Sequence, residues 1–432
     1  MRISTIQAFN NGVAGIQRNY ANATRTQEQI STGNRILTPA DDPVASVRLL
    51  QLEQQQNVLT QHKDNLTAAN SSLTQEEVTL NSVNTILQRV RELTVQAGNG
   101  VLDTAGRQSI AAELTEREAE LLSLMNTRNA RGEYLFSGFQ GKTQPFVREA
   151  DGNYSYQGDE GQRKLQVASS LNLAISDNGK KIFQNVTNAG RLSLTDTAIP
   201  PASVAIGTIS GMLVEDEVAF SSFPANGVQL AFDPVDPLNY TLSPVITPGV
   251  PADPLDPLSV EIPAVLGTAI NGRLEEGKDT LVHYQGVAFY VNGTPAAGTS
   301  FTIAGPDADP ASPPPNKVGI LDTIASLRST LETPATGGQV RDAVALALTN
   351  LDHGMVTVDS VRGEIGARLN IIETTQTDNE DVTLVNKSVQ AGLRELDYAE
   401  ALSRLSFQTI VLEAAQQSYV KIAGLSLFNQ LR

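Results

Sequence analysis

The chain has 432 residues, 40% of them apolar, with neither tryptophan nor cysteine, and its 31 basic and 47 acidic side chains leave a formal charge of −16. That length exceeds what one hydrophobic core organises, so two or three domains are expected. The charge excludes a nucleic-acid binder, which needs clustered Lys and Arg, and argues against docking on an anionic membrane. Absence of cysteine removes disulfides, thiolate metal sites and cysteine nucleophiles together.

The start, Met1-Arg2-Ile3-Ser4-Thr5-Ile6-Gln7, carries no apolar leader core, and no stretch approaches the ~20 apolar residues of a membrane span. This is the pattern of a cytosolic chain, or of one exported without a cleaved signal. The first helix is expected over residues 4–32. Ile6, Val13, Tyr20 and Gln27 recur at heptad spacing, each followed three positions on by Phe9, Ile16, Ala23 and Ile30, and Gly33 stops the run. Thr38-Pro39-Ala40-Asp41-Asp42-Pro43 then reads as a loop and cap, with Asp42 as N-cap and Pro43 in the first helical position.

The second helix has the sharpest period in the chain: Leu52, Leu59, Leu66, Leu73, Leu80 and Leu87, closed by Gly98 and Gly100. At 1.5 Å per residue those leucines span about 54 Å, so the helix belongs to an elongated bundle. A third helix is expected over 104–131, with Ile110, Leu114, Leu121 and Leu124 inward and Glu113, Glu116, Glu118 and Glu120 solvated.

Between 134 and 316 the pattern changes to short β-rich runs, such as Tyr134-Leu135-Phe136, Val228-Gln229-Leu230-Ala231-Phe232 and Val287-Ala288-Phe289-Tyr290-Val291, separated by Gly, Asn, Asp and Pro. Ser300-Phe301-Thr302-Ile303 is of the same kind. The proline-dense stretches 224–263 and 306–315 are expected to be extended loops. A short helix over 318–331 leads to the C-terminal seam Val344, Leu351, Val358, Ile365 and Ile372. After Leu384, Leu393 and Leu396 come Tyr398, Leu405, Leu412 and Tyr419. The resulting fold class is α+β, an elongated helical coiled-coil bundle made by both chain ends with an inserted all-β region of one or two small domains. Its expected boundaries are 1–133, 134–316 (variable from about 190) and 317–432. Neither apolar seam can be buried by its own helix, so each end is the other's nearest partner.

No catalytic, cofactor or metal site is expected. The histidines His62, His283 and His353 are scattered without ligand spacing, and there is neither a His-Glu-x-x-His helix, a Gly-x-Ser-x-Gly elbow nor a phosphate loop. Asp41 and Asp42 are adjacent and point in different directions, which suits a cap better than calcium. Six leucines at heptad spacing would suit any cytosolic coiled coil. What shifts the reading is that seams occupy both ends and that Leu425-Ser426-Leu427-Phe428-Asn429-Gln430-Leu431 makes the terminus apolar.

These residues resemble the bacterial flagellin family. Gln29-Ile30-Ser31-Thr32-Gly33-Asn34-Arg35-Ile36-Leu37, followed by Pro39-Ala40-Asp41-Asp42-Pro43-Val44-Ala45, is similar to the family's hallmark loop. Ser426-Leu427-Phe428-Asn429-Gln430-Leu431 resembles its terminal signature, and Arg362-Gly363-Glu364-Ile365-Gly366-Ala367-Arg368-Leu369 matches the start of its long C-terminal helix. Gly132-Glu133-Tyr134-Leu135-Phe136-Ser137-Gly138, Pro145-Phe146 and Tyr154-Ser155-Tyr156-Gln157-Gly158-Asp159-Glu160-Gly161 point within the family to a subunit at the junction of hook and filament. The resemblance covers about 1–185 and 318–432.

The resemblance implies a non-enzymatic structural subunit of the extracellular flagellum, exported largely unfolded by the type III apparatus and ordered on assembly. Implied partners are copies of itself in a ring, a neighbouring hook-associated junction protein, flagellin and an export chaperone. The expected assembly interface is Ile6, Val13, Ile16, Ile30, Leu52, Leu59, Leu66, Leu405, Leu412, Leu427 and Phe428, and the family loop motif is Arg35, Asp41, Asp42 and Pro43. The alternatives are a filament subunit of the same family, a glycan-binding or enzymatic module in 190–316, and an ordinary cytosolic coiled coil.

Overall fold

The computed structural model describes residues 5–196, 209–247, 265–305 and 315–430; the side chains of 5, 6, 8, 196 and 422–430 fall outside the description. Three helices open the chain, α1 (Thr5–Thr32), α2 (Pro43–Ala97) and α3 (Thr104–Met125). Short strands follow: β1 (Phe146–Arg148), β2 (Tyr154–Tyr156), β3 (Lys164–Ala168), β4 (Leu171–Ala174), then a π-helical turn at Lys180–Gln184 and β5 (Val186–Thr187). The insert proper contains β6 (Ser193–Asp196), β7 (Ile209–Val214), the one-turn α4 (Glu217–Phe220), β8 (Val228–Phe232), β9 (Asn239–Thr247), β10 (Val265–Leu266) and β11 (Ile270–Arg273). β12 (Thr280–Tyr284), β13 (Val287–Val291), β14 (Ser300–Ala304) and β15 (Lys317–Val318) complete the strands, and α5 (Ile320–Glu332), α6 (Gly337–Arg394) and α7 (Tyr398–Gln430) return to helix. The fold is α+β, with long helices at both ends around antiparallel strands.

The chain divides into two compact units: a terminal unit of residues 1–67, 166–171 and 372–432, and a central unit of 68–165 and 172–371. In the terminal unit α1 packs along α7. Phe9 meets Tyr419 with ring centroids 5.3 Å apart, and Gly12 faces the same ring, which lies 3.1 Å from where a Cβ would stand.

In the central unit the heptad leucines do what their spacing promised. Leu73, Leu80 and Leu87 are fully buried, as are Val83 and Val90, and α6 contributes Val344, Leu351, Val358 and Ile365 to the buried set. The two helices run antiparallel, shown by polar pairs that descend α2 as they ascend α6: Arg91 with Asp352 at 2.6 Å, Asn84 with Asp359 at 3.2 Å, and Glu77 with Arg362 at 2.9 Å. These rungs are separated by seven residues on α2 and flank the leucine stripe, the position where charged pairs set register in coiled coils. α3 packs on α5, burying Ile110, Leu114, Leu121 and Met125 along with Ile320, Ile324, Leu327 and Leu331.

The insert has a six-stranded sheet in the order β10-β9-β8-β14-β6, with β11 also on β9, and a three-stranded sheet β12-β13-β7. Both contribute to one core, in which Val228, Leu230 and Phe232 of β8 and Phe301 and Ile303 of β14 join Val287, Phe289 and Val291 of β13. Strict alternation of buried and half-buried residues along β8 follows from the two-residue period of a strand.

Several sequence expectations are corrected. α3 ends at Met125, six residues before Arg131, because Asn126 turns its amide onto the backbone of Phe146, donating to its carbonyl and accepting from its N–H, both at 3.0 Å. Glu118 is not solvated: it is buried, taking hydrogen bonds from the Tyr154 hydroxyl and from Arg328 Nε at 2.9 Å. Residues 134–136 form a turn with one isolated bridge, Arg128 to Tyr134, and are buried as a core plug rather than as a strand.

Part of the proline-rich region is the nine-residue β9, with Pro244 inside it. The β11 ladder along β9 extends only to Leu242, and the β10 register shifts at Val265 and Leu266, so the missing proline N–H breaks no regular ladder there. The Asp-Pro pairs at 253–254 and 256–257 and most of 306–315 lie outside the described residues. The segment 362–369 lies well inside the 58-residue α6, not at the start of a helix.

Candidate assembly surface

The loop between α1 and α2 is fixed by its own acidic pair. The Asp41 carboxylate accepts from the backbone N–H of Leu37 at 2.9 Å and of Thr38 at 3.0 Å, from the Thr38 hydroxyl at 3.0 Å, and pairs with Arg25. Asp42 caps α2, accepting from the Ala45 N–H at 3.0 Å, and Pro43 occupies the first helical position, where its missing N–H costs no bond. Gly33, at φ 70°, turns the chain out of α1 in the left-handed region glycine tolerates best.

The same loop is latched to the turn between α6 and α7. The Arg35 N–H donates to the Arg394 carbonyl at 2.8 Å, and the Leu396 N–H donates to Gly33 at 3.0 Å. The Arg35 guanidinium reaches the Leu393 carbonyl at 3.1 Å and approaches Asp42 at 3.9 Å, while Arg394 Nε donates to Asn34 Oδ1 at 2.9 Å. From within α1, Gln29 Nε2 donates to the Arg35 carbonyl at 2.6 Å. Four of these bonds tie the two end regions of the sequence together.

On either side of this latch the helices carry apolar side chains that the subunit does not cover. Phe9 is 50% exposed on α1; Leu384 and Val385 on α6, and Leu402, Phe407 and Ile410 on α7, are each more than half exposed. Polar groups in the terminal unit are also left over: both ring nitrogens of His62 and the side-chain amide nitrogens of Asn379 and Asn386 are buried without a hydrogen-bond partner. Each such group costs about 1–3 kcal/mol. Among the described residues there is no group of three or more His, Cys, Asp or Glu that could hold a metal, and no helix long and apolar enough to cross a membrane.

The profile of the bacterial flagellin N-terminal helical region matches residues 3–141. Flagellar hook-associated protein 3 of Escherichia coli is 34% identical over 188 residues, which cover 44% of this chain and 58% of that protein. The crystal structure of the hook-associated protein 3 of Legionella pneumophila superimposes with a TM-score of 0.59 at 26% identity, over 79% of this chain and 98% of that one. The chain is thus similar to bacterial flagellins in its N-terminal helical region and to hook-associated protein 3 over a longer span. Flagellin B of Vibrio anguillarum is 25% identical over 400 residues, which cover 92% of this chain and 95% of that protein. The chain spans 58% of the length of the Escherichia coli relative.

The residues Arg35, Asp41, Asp42 and Pro43 lie together in the loop between α1 and α2, and Arg35 carries the contact to the α6–α7 turn. The residues singled out for assembly all fall in the terminal unit but differ in exposure. Val13, Ile16 and Ile30 of α1, Leu52 and Leu59 of α2, and Leu405 and Leu412 of α7 are half-buried, while Leu66 is fully buried. Ile6, Leu427 and Phe428 lie in α1 and α7, but their side chains fall outside the described residues. Sequence reasoning gave no latch role to Arg394, or to Gln29 and Asn34 of the loop motif and Leu396 of the seam, which join it through side-chain and backbone bonds alike. It also missed Leu402, Phe407 and Ile410, which lie off the heptad stripe. That offset was itself a usable signal, since apolar residues off the intrachain seam imply a second covered face.

Proposed function

We propose that this chain is a structural adapter of the flagellum that joins the hook side, through a neighbouring hook-associated protein, to the filament. The observation that carries the reading is the likeness to the Legionella pneumophila hook-associated protein 3, which extends over 98% of that structure. The apolar surfaces on α1, α6 and α7 fit this role, because they have the chemistry of helices completed by neighbouring copies. In the proposal, 1–133 and 317–432 form the assembly core and 134–316 faces outward. Ile6, Val13, Ile16, Ile30, Leu52, Leu59, Leu66, Leu405, Leu412, Leu427 and Phe428 make the contacts. Subunits pass through the type III apparatus largely unfolded, with a chaperone on the C-terminal helix, and order in a ring outside the cell. No catalysis is part of the role.

Replacing Leu412 and Leu427 by Asp is expected to abolish junction assembly while the insert stays folded; motile cells carrying that double variant would refute the proposal. A filament subunit is the second reading, favoured by the 400-residue alignment with the Vibrio anguillarum flagellin. Electron microscopy of a deletion strain separates the two. Hooks without filaments, with filament protein released into the medium, support the adapter; loss of the filament protein itself supports the rival.

A further inference from the structure

Glu76 of α2 is among the most deeply buried carboxyl groups in the central unit, at 2% exposure. Its Oε1 accepts one hydrogen bond, from the backbone N–H of Asp177 at 3.1 Å. The Asp177 carboxylate is buried beside it and is already committed elsewhere. Arg368 of α6 grips both its oxygens, at 2.7 and 3.1 Å, and Gln162 Nε2 donates to Oδ1 at 2.7 Å.

The remaining charges around Glu76 are also spoken for. Glu364 of α6 pairs with Arg368 at 3.2 Å and with Lys181 at 3.1 Å, and Arg163 pairs with Glu133 at 2.8 Å. Three carboxyls, Glu76, Asp177 and Glu364, therefore share the two cations Arg368 and Lys181. Asp177 holds the better geometry, with both oxygens on Arg368 and one also on Gln162. Glu76 is the group left to be neutral, since a buried carboxylate without its own cation is far costlier than a buried acid.

We propose that Glu76 is a proton-binding contact between α2 and the 176–178 segment, holding its proton in the folded subunit and loosening the central unit when it is lost. Burial first, and the neighbouring charge of Asp177 second, push its carboxyl well above the ordinary glutamate range, against the smaller opposing pull of the Asp177 N–H and the two arginines. In the unfolded chain Glu76 titrates as an ordinary glutamate. Between those two values the folded state binds the extra proton, so stability is fully present below the unfolded value and falls as pH rises through the folded one.

The test is denaturant unfolding of the full chain from pH 5 to pH 8, for wild type and Glu76→Gln, with the infrared spectrum of the folded protein at neutral pH. Glutamine keeps the acceptor and the shape but carries no charge at any pH. The expected result is a wild-type unfolding constant that grows with pH, by up to about tenfold per unit within the window set by the one proton. The variant should lack that increment and be the more stable of the two at pH 8. The wild-type spectrum should show a protonated carboxyl band that the variant lacks. An unchanged pH slope in the variant, or a variant less stable than wild type at pH 8, overturns the proposal. If Glu76→Gln does not fold, a wild-type spectrum without a protonated carboxyl band overturns it equally.

Discussion

Leu52 and Leu80 occupy equivalent positions of one heptad series, yet the structure assigns them different work. Leu80 is fully buried in the central unit, whereas Leu52 is half-buried in the terminal unit. Truncating Leu80 to Ala removes side-chain volume from a closed core, and such losses cost about 2–5 kcal/mol once the residual cavity is included. Full burial of a leucine contributes about 1.5–3 kcal/mol, so Leu52→Ala should cost the isolated subunit roughly 1 kcal/mol or less. Segment-resolved hydrogen exchange on the free subunit measures both, because each variant is read in its own unit. Assembly should rank them the other way, Leu52→Ala failing to incorporate although folded, Leu80→Ala failing only as far as its folded population falls. Equal costs in the free subunit would refute the reasoning, since they would mean that the outer end of the seam closes without neighbours.

Two further outcomes follow from named contacts. Arg328→Ala leaves buried Glu118 with the Tyr154 hydroxyl and a distant Arg148 at 3.9 Å, and should destabilise the central unit by about 3–5 kcal/mol; adding Glu118→Gln should recover much of that in thermal unfolding. Gly363 lies inside α6 where an added Cβ would meet nothing, so Gly363→Ala should stabilise the free subunit by about 0.5–1 kcal/mol in denaturant titration.

How much of this could be read in the sequence depends on where each signal resides. The helices were legible because Leu52 to Leu87 impose a period, and the cap because Asp42-Pro43 is local chemistry. A period tells which face is apolar but not what covers it, so Leu52 and Leu80 looked alike. The polar rungs Gln56, Lys63, Glu77, Asn84 and Arg91 share the leucine interval and were open to the same reading; Gln56 pairs with Thr383 at 3.5 Å and Lys63 with Glu380 at 3.5 Å. Glu76 and Glu118 could not be read as buried, because a glutamate is solvated by default and their partners lie far off: Asp177 is 101 positions from Glu76, and Arg328 is 210 from Glu118. The latch was illegible for another reason: main-chain bonds such as Arg35 to Arg394 leave no mark on residue type.

That latch also sets a schedule for folding. Asn34 and Arg394 are 360 positions apart, and closing so long an unstructured loop costs on the order of 5 kcal/mol of chain entropy. Zipping of α2 against α6 brings the two sites into reach and removes most of that entropic cost. The fastening is thus the final event, and a chain cut short before residue 394 would leave its beginning as loose as its missing end.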